Sequence, residues 1–374
     1  MVVTLRAVNV YHTRFRPIRT LCSAHFPNRE NLMNTVPQLN MRLRWVALGV
    51  ALVAPWVGVP HTDSVQAADM PSIDSVEKIW DRGEHNAFTD LVRFRERWWC
   101  TFREGTAHAV DLGKVRVIVS LLGSKWHSAV LLAKRDVDFR DPKLSVMPDG
   151  RLMLVMGGIV YDSNWVYQTR APYVSFSKKG HAWSTPTKVL AEDHWLWRVT
   201  WYKGVGYSVS KLGDGRDPRR VMLYKTTDGL NWEWVTEFRN IPAWPNEATV
   251  RFLDDNEMVV LLRRNKTAWI GTSPPPYTSW KWTDTGHRTG GPNFIRVSDG
   301  SLWAGGRQYG QSAKTVLARM TRDRYEPVLS LPSGGDCSYP GMVWHENRLW
   351  MSYYSSHEGR SSIYLAKIRL PEAK

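Results

Sequence analysis

The chain has 374 residues, a formal net charge of +15, 43% hydrophobic residues, 12% aromatics and three cysteines. That length buries a sizeable core without cross-links, which excludes a disulfide-dense scaffold. With no CxxC pair, HExxH helix, phosphate-cradling loop or Gly-rich nucleotide fingerprint, a metal or nucleotide enzyme has no support; the basic excess, spread without runs, favours anionic ligands without singling out nucleic acid.

Residues 1–40 hold five arginines against one acid, Glu30, and no clear periodicity. They read as an extension from too early a start codon, with Met41 the true start and a basic targeting segment the alternative. Arg42 and Arg44, the apolar run Trp45–Val59 and the small-residue site Val65-Gln66-Ala67 then read as a secretory signal peptide over residues 41–67. The run is broken by Pro55 and falls short of the roughly twenty residues a membrane helix needs. The expected product is a secreted or periplasmic monomer with no stable membrane span. Cleavage near Ala67 leaves a net charge near +10 and two cysteines, Cys100 and Cys337. These read as small buried hydrophobes, a single bridge being the alternative.

From there the chain repeats itself. An apolar alternating strand, a tight polar turn and a second apolar strand recur as TDLVRFRERWWCTF, PKLSVMPDGRLMLVM, RVTWYKGVGYSVS, ATVRFLDDNEMVVLL, NFIRVSDGSLWAGG and GMVWHENRLWMSYY, at spacings of about 45–55 residues. A third strand follows each of the first four, ending in a Gly or Pro turn and a tryptophan: SLLGSKW, SKKGHAW, TTDGLNW and TSPPPYTSW. A fourth strand follows each tryptophan, and four antiparallel strands per repeat make a propeller blade. The last repeat lacks its fourth strand, while VEKIW, Val76–Trp80, stands unpaired before the first hairpin. The prediction is an all-β, six-bladed β-propeller over residues 76–370, closed by the N-terminal strand completing the last blade.

In such a ring the starts of first strands and the ends of second strands share one mouth. Pairing NEATVRFLDDNEMVVLLRR around its Asp254-Asp255-Asn256 turn sets Glu247 opposite Arg263. The same rule brings Asn86, Arg103 and Glu104 to the mouth from blade one, Arg140 and Asp141 from blade two, and Trp195, Trp197 and Arg198 from blade three. Blade four gives Trp244, Glu247 and Arg263, blade five Asn293 and Arg307, and blade six Asp336, Ser338, Tyr339, His357 and Glu358. Arginine forks suit carboxylates and tryptophan faces suit sugar rings, so the rim points to an anionic glycan. The bland alternatives are a cross-strand Glu247–Arg263 ion pair worth under about 1 kcal/mol, a self-satisfied Arg140-Asp141 turn, and tryptophans that only pack.

The turn–tryptophan segments resemble the Asp-box, S-x-D-x-G-x-x-W, of the sialidase superfamily, with Asp228 alone supplying the aspartate. The stretch Glu247 to Arg263 is similar to the sialidase segment in which a glutamate begins a channel strand and an arginine ends its partner. The resemblance implies a six-bladed glycoside hydrolase that needs no metal or other cofactor. It gives Tyr339 of CSYPGMVW as nucleophile, Glu247 as its activator, and Arg263 and Arg307 as two of three carboxylate-binding arginines. Where sialidases carry Phe/Tyr-Arg-Ile-Pro this chain reads HNAF, His85–Phe88, so the first arginine is missing, and Arg103 or Arg140 could reach the same anion. For the general acid the loop REGTAHAVDLGK offers Asp111, with Glu104 and His108 as competitors. Asp141, Asn86, Trp197 and Asp336 complete the expected substrate-binding set. The implied substrate is a terminal acidic sugar, sialic acid or a related ulosonic acid. The alternatives are a glycosidase or lyase for another acidic sugar, and a secreted glycan-binding propeller without turnover.

Overall fold

The computed structural model describes residues 70–213 and 219–372. The predicted signal peptide and the extension before it lie outside the described residues. Among the described residues the regular secondary structure is all strand: β1 (Ser72–Trp80), β2 (His85–Phe94), β3 (Arg97–Gly105), β4 (Lys114–Ser120), β5 (His127–Leu132), β6 (Asp138–Val146), β7 (Leu152–Tyr161), β8 (Tyr167–Ser177) and β9 (Thr187–Lys188). There follow β10 (His194–Leu196), β11 (Thr200–Tyr202), β12 (Val205–Leu212), β13 (Arg220–Thr226), β14 (Glu233–Glu237), β15 (Ala248–Phe252), β16 (Met258–Leu262), β17 (Trp269–Ser273) and β18 (Lys281–Asp284). The last are β19 (Thr289–Arg296), β20 (Leu302–Gln308), β21 (Lys314–Met320), β22 (Tyr325–Ser330), β23 (Cys337–His345), β24 (Arg348–Ser355) and β25 (Ser362–Arg369). No helix among the described residues is long and apolar enough to cross a membrane.

These strands form six antiparallel sheets, β2–β5, β6–β9, β10–β14, β15–β18, β19–β22 and β23–β25 with β1. Channel strands of consecutive sheets touch one another all the way round, which makes the sheets the blades of a propeller. The second strand of a blade is buried on both faces between its neighbours, as in the fully enclosed β16 (MVVLL), whereas outer strands such as β18 (KWTD) stay partly exposed. Two turn designs join the channel hairpins. Blades 1, 3 and 6 use two left-handed residues, Arg95-Glu96, Lys203-Gly204 and Glu346-Asn347, the pairing that matches strand twist. In blades 2, 4 and 5 an aspartate precedes the left-handed residue: Asp149-Gly150, Asp255-Asn256 and Asp299-Gly300.

The turn–tryptophan segments share one hydrogen-bond pattern. Ser120, Ser177 and Thr226 hydroxyls accept the N–H of Gly123, Gly180 and Gly229 at 2.8–2.9 Å. The indoles of Trp126, Trp183 and Trp232 donate back to those glycine carbonyls at 2.7–3.1 Å. In the fourth copy Tyr277 takes the glycine's place, left-handed at φ 69 and accepting from Trp280 at 3.0 Å. β1 starts four residues before the predicted Val76 and pairs with β25 from Ser72↔Arg369 to Trp80↔Ile363, giving the sixth sheet the order β1-β25-β24-β23. The sixth blade meets the first through stacked Trp98 and Trp350, centroids 4.1 Å apart. Cys100 and Cys337 are buried and free.

Candidate active site

Local backbone irregularity, rather than plain alternation, decides what reaches the mouth. In blades 1, 2, 5 and 6 the channel strand carries a bulge where two residues face one: between Ala87 and Asp90, Arg140 and Lys143, Gly290 and Asn293, Ser338 and Gly341. The first residue of each bulge is left-handed: Phe88 at φ 65, Asp141 at 50, Gly291 at 57 and Tyr339 at 54. A bulge re-aims its side chain off the pleat, so a ring, a carboxyl, an open space and a phenol arrive at equivalent positions around the channel. Gly291 is required there, since a Cβ would sit 2.6 Å from two atoms of the Tyr339 ring.

Tyr339 Oη donates to Glu247 Oε1 at 2.8 Å, although the residues are 92 apart in sequence. Arg263 Nη1 donates to both Glu247 oxygens at 2.7 Å and to Tyr339 Oη at 3.0 Å, and Nη2 reaches Tyr309 Oη at 3.3 Å. The Gly291 N–H donates to Glu247 Oε2 at 3.3 Å. Glu247 is 5% exposed and Tyr339 7%. Burial pushes the Glu247 carboxyl up, but Arg263, Lys211 and the donors on its oxygens outweigh it and hold the group at about 2. The Tyr339 phenol is raised well above its ordinary value by burial and then by the Glu247 charge, against the pull of Arg263. Phe88 packs edge-on against Tyr339 at 5.0 Å, and Trp197 does so at 5.9 Å.

Beside this centre Arg307 lies 5.8 Å from the Tyr339 ring and donates to Cys337 O at 2.8 Å, Tyr354 Oη at 2.8 Å and Asp336 Oδ1 at 3.1 Å. Asp336 Oδ2 lies 3.1 Å from His85 Nε2 and 2.5 Å from His108 Nδ1. Burial raises the Asp336 carboxyl, but the contacts from His108, His85 and Tyr354 leave it well below the usual carboxylate range. The three groups offer ligand atoms within 4.8 Å of one another, the one such cluster among the described residues. In this structure they are joined by direct hydrogen bonds.

Several solved structures share this architecture. A protein of unknown function from Dyadobacter fermentans aligns over 80% of this chain and 99% of its own with a TM-score of 0.71 and 17% identity. An α-L-arabinofuranosidase from Fusarium graminearum aligns over 79% and 98% with a TM-score of 0.62 and 13% identity. The Trypanosoma rangeli sialidase gives 0.62 at 11% identity over 76% of this chain, which spans 55% of that enzyme's length. No family model and no curated protein matches the chain. The fold is the six-bladed β-propeller that these structures share.

Within this propeller the predicted residues separate into two groups. Tyr339, Glu247, Arg263, Arg307, Asp336 and His108 form one connected set. Arg103 does not join it. Its guanidinium is fully buried and held by Asp138 at 3.0–3.1 Å, by Ala107 O at 2.6 Å and by Asp111. Asp111 also accepts from Thr106 Oγ1 at 2.9 Å, so its carboxylate secures the loop and the buried arginine rather than facing Tyr339. Glu104, next to Arg103 on the strand, must point to the opposite face, where Arg116 grips both its oxygens at 2.8 and 3.0 Å and Trp80 donates at 3.3 Å. Arg140 ties Asp138 at 2.6 Å to Tyr161 at 2.8 Å. Asn86, fully buried, donates to Gly83 O and Ser361 O at 2.9 Å and joins blade 1 to blade 6. Trp197 is 2% exposed and packs edge-on against Tyr339, offering no sugar platform.

Sequence reasoning missed Tyr309, Tyr354, Lys143, Lys211 and Arg288. Arg288 stacks 4.2 Å over the Tyr309 ring, adding a third cation beside Arg263 and Arg307. Lys143 Nζ is enclosed by the carbonyls of Phe88, Thr89 and Pro142 at 3.1–3.3 Å and lies 4.8 Å over Trp197; burial and then Arg198 lower it to about 8. Its signal was available: Lys143 follows Asp141-Pro142 at the place where blades 1 and 5 carry Asp90 and Asn293.

Proposed function

We propose that this protein is an exported glycoside hydrolase that releases a terminal acidic sugar, sialic acid or a related ulosonic acid, with Tyr339 as nucleophile and Glu247 as its proton acceptor. One observation carries the reading: the buried Tyr339 hydroxyl is 2.8 Å from Glu247 and 3.0 Å from Arg263. An anomeric carbon that bears a carboxylate repels an anionic nucleophile, and a neutral phenol made basic by a neighbour avoids that. At rest Glu247 is too well paired to take the phenolic proton. A substrate carboxylate that draws on Arg263 and Arg307 competes for the guanidinium charge, which raises the basicity of Glu247 when the nucleophile is needed. Arg263 stays beside the developing phenolate and stabilises it. Export rests on Arg42, Arg44 and the apolar run Trp45–Val59.

The test is sugar release by the purified protein from sialylated, ulosonic-acid and uronic-acid glycans beside Tyr339→Phe. The variant should lose on the order of 10³-fold or more in kcat. Equal turnover by the two proteins refutes the nucleophile assignment. The depressed Glu247 and near-complete enclosure of Tyr339 also suit a propeller that only binds its glycan, and binding by both proteins with turnover by neither is the outcome that reading predicts.

A further inference from the structure

We infer that Asp141 is the general acid of this site, the group that gives a proton to the leaving glycosidic oxygen; the assignment rests on the hydrolase reading above. Every other carboxyl around the mouth is already committed. Asp111 and Asp138 hold Arg103, Glu104 is gripped by Arg116, Glu247 by Arg263, Glu358 by Lys78, and Asp336 by Arg307, Tyr354 and two histidines. Deeper in the channel, Asp90 pairs with Arg198 and accepts the Leu144 N–H at 2.8 Å. Asp141 alone has a spare oxygen. Its Oδ2 accepts from the Trp195 indole at 3.1 Å, while Oδ1 is shielded from solvent and has no hydrogen-bond partner. A shielded oxygen without a donor penalises the ionised form and favours an O–H at that position.

Placement agrees with the role. Asp141 reaches the mouth by a bulge equivalent to the one that carries Tyr339, with the blade of Phe88 between them. The charged groups around it come from four elements: Arg140 and Lys143 on its own strand β6, Lys211 on β12, Glu247 ahead of β15, and Tyr339 on β23. Burial raises the Asp141 carboxyl first, with Glu247 adding to it, against Lys143, Lys211 and Arg140. The nucleophile's acceptor therefore stays ionised while the proton donor is favoured in its acid form, the opposed tuning that acid and base partners need.

The step balances. Tyr339 Oη bonds to the anomeric carbon as its proton passes to Glu247. The carbon–oxygen bond to the leaving group breaks, and its electron pair takes the proton from the Asp141 carboxyl, whose unpartnered oxygen turns from its shielded position toward the cleft. In the second half Asp141 removes a proton from water, the water oxygen bonds to the anomeric carbon, the bond to Tyr339 breaks, and Glu247 returns the phenolic proton.

The experiment compares wild type and Asp141→Asn on two glycosides of one acidic sugar, a 4-nitrophenyl glycoside whose leaving group needs no proton and an alkyl-linked glycoside whose leaving group does. Asparagine tolerates φ 50 and keeps an acceptor for Trp195, so the fold survives the change. Activity on the alkyl glycoside should fall about 10²–10⁴-fold and that on the nitrophenyl glycoside less than about tenfold, with loss of the alkaline limb of the kcat/KM profile. Equal losses on both substrates, or no loss on either, overturn the assignment while leaving the hydrolase reading standing. A wild-type protein that turns over neither glycoside overturns both.

Discussion

Replacing Gly291 by alanine perturbs the Tyr339–Glu247 pair without touching either residue. The new Cβ would lie 2.6 Å from Cγ and Cδ2 of the Tyr339 ring and 2.9 Å from Cδ1, where ordinary contact begins at 3.4 Å, so ring or backbone must yield by roughly 0.8 Å. The left-handed φ of 57 costs an L-residue about 1–2 kcal/mol, and forcing a methyl into packed surroundings a further 1–3 kcal/mol or so. Together these correspond to a fall in melting temperature on the order of 5–10 °C. Displacing a reacting atom by nearly an ångström costs about 10²-fold in rate, so kcat on an acidic-sugar glycoside should fall by that much. Gly286→Ala is the control, since that glycine is also left-handed, at φ 72, yet has nothing within 4 Å of its Cβ position. It should show the backbone cost alone and wild-type turnover. Equal destabilisation of the two variants, with turnover unchanged in Gly291→Ala, refutes the claim that this glycine holds the phenol in place.

The Glu247 carboxyl is lowered from 4.5 to about 2 in the folded protein, so its contribution is fully present above pH 4.5 and is lost as pH falls through about 2. Denaturant titration should show about 3 kcal/mol of stability disappearing over that window, and Glu247→Gln should flatten the slope. Arg103→Met should lower stability by about 3–5 kcal/mol, because Asp138 and Asp111 lose their buried cation, while leaving KM for an acidic glycoside within about twofold of wild type. A large rise in KM with unchanged melting temperature would return Arg103 to the substrate.

The architecture was readable because its signals are local and repeated. Alternation, tight turns and a tryptophan three residues after each turn recur in the sequence, and the register that sets Glu247 against Arg263 follows from a short turn. Ala248 does face Leu262, and Arg263 N donates to Glu247 O at 2.8 Å. The mouth was only half readable. Hairpin arithmetic gives the height of a residue on the blade but not its face, and so it admitted both Arg103 and Glu104 although neighbours on a strand point apart. It also assumes unbroken strands. The bulges that turn Asp141 and Tyr339 toward the opening arise from left-handed residues, which favour glycine and asparagine and so leave no trace in the letters when aspartate or tyrosine adopts them. The His85–His108–Asp336 cluster joins residues from two ends of the chain across the blade 6–blade 1 seam, beyond the reach of any spacing rule.

That seam also orders the way the molecule is completed. β1 precedes every other described strand and its partner β25 follows every other, with Ser72 set against Arg369 and Trp80 against Ile363. A nascent chain therefore carries β1 as an unmatched edge until β25 is made, and joining the two closes a loop of nearly the whole propeller, a late and entropically demanding contact. Blades 1 to 5 can form as they are made, but the sixth, which carries Tyr339, is finished only by a strand from the opposite end of the chain.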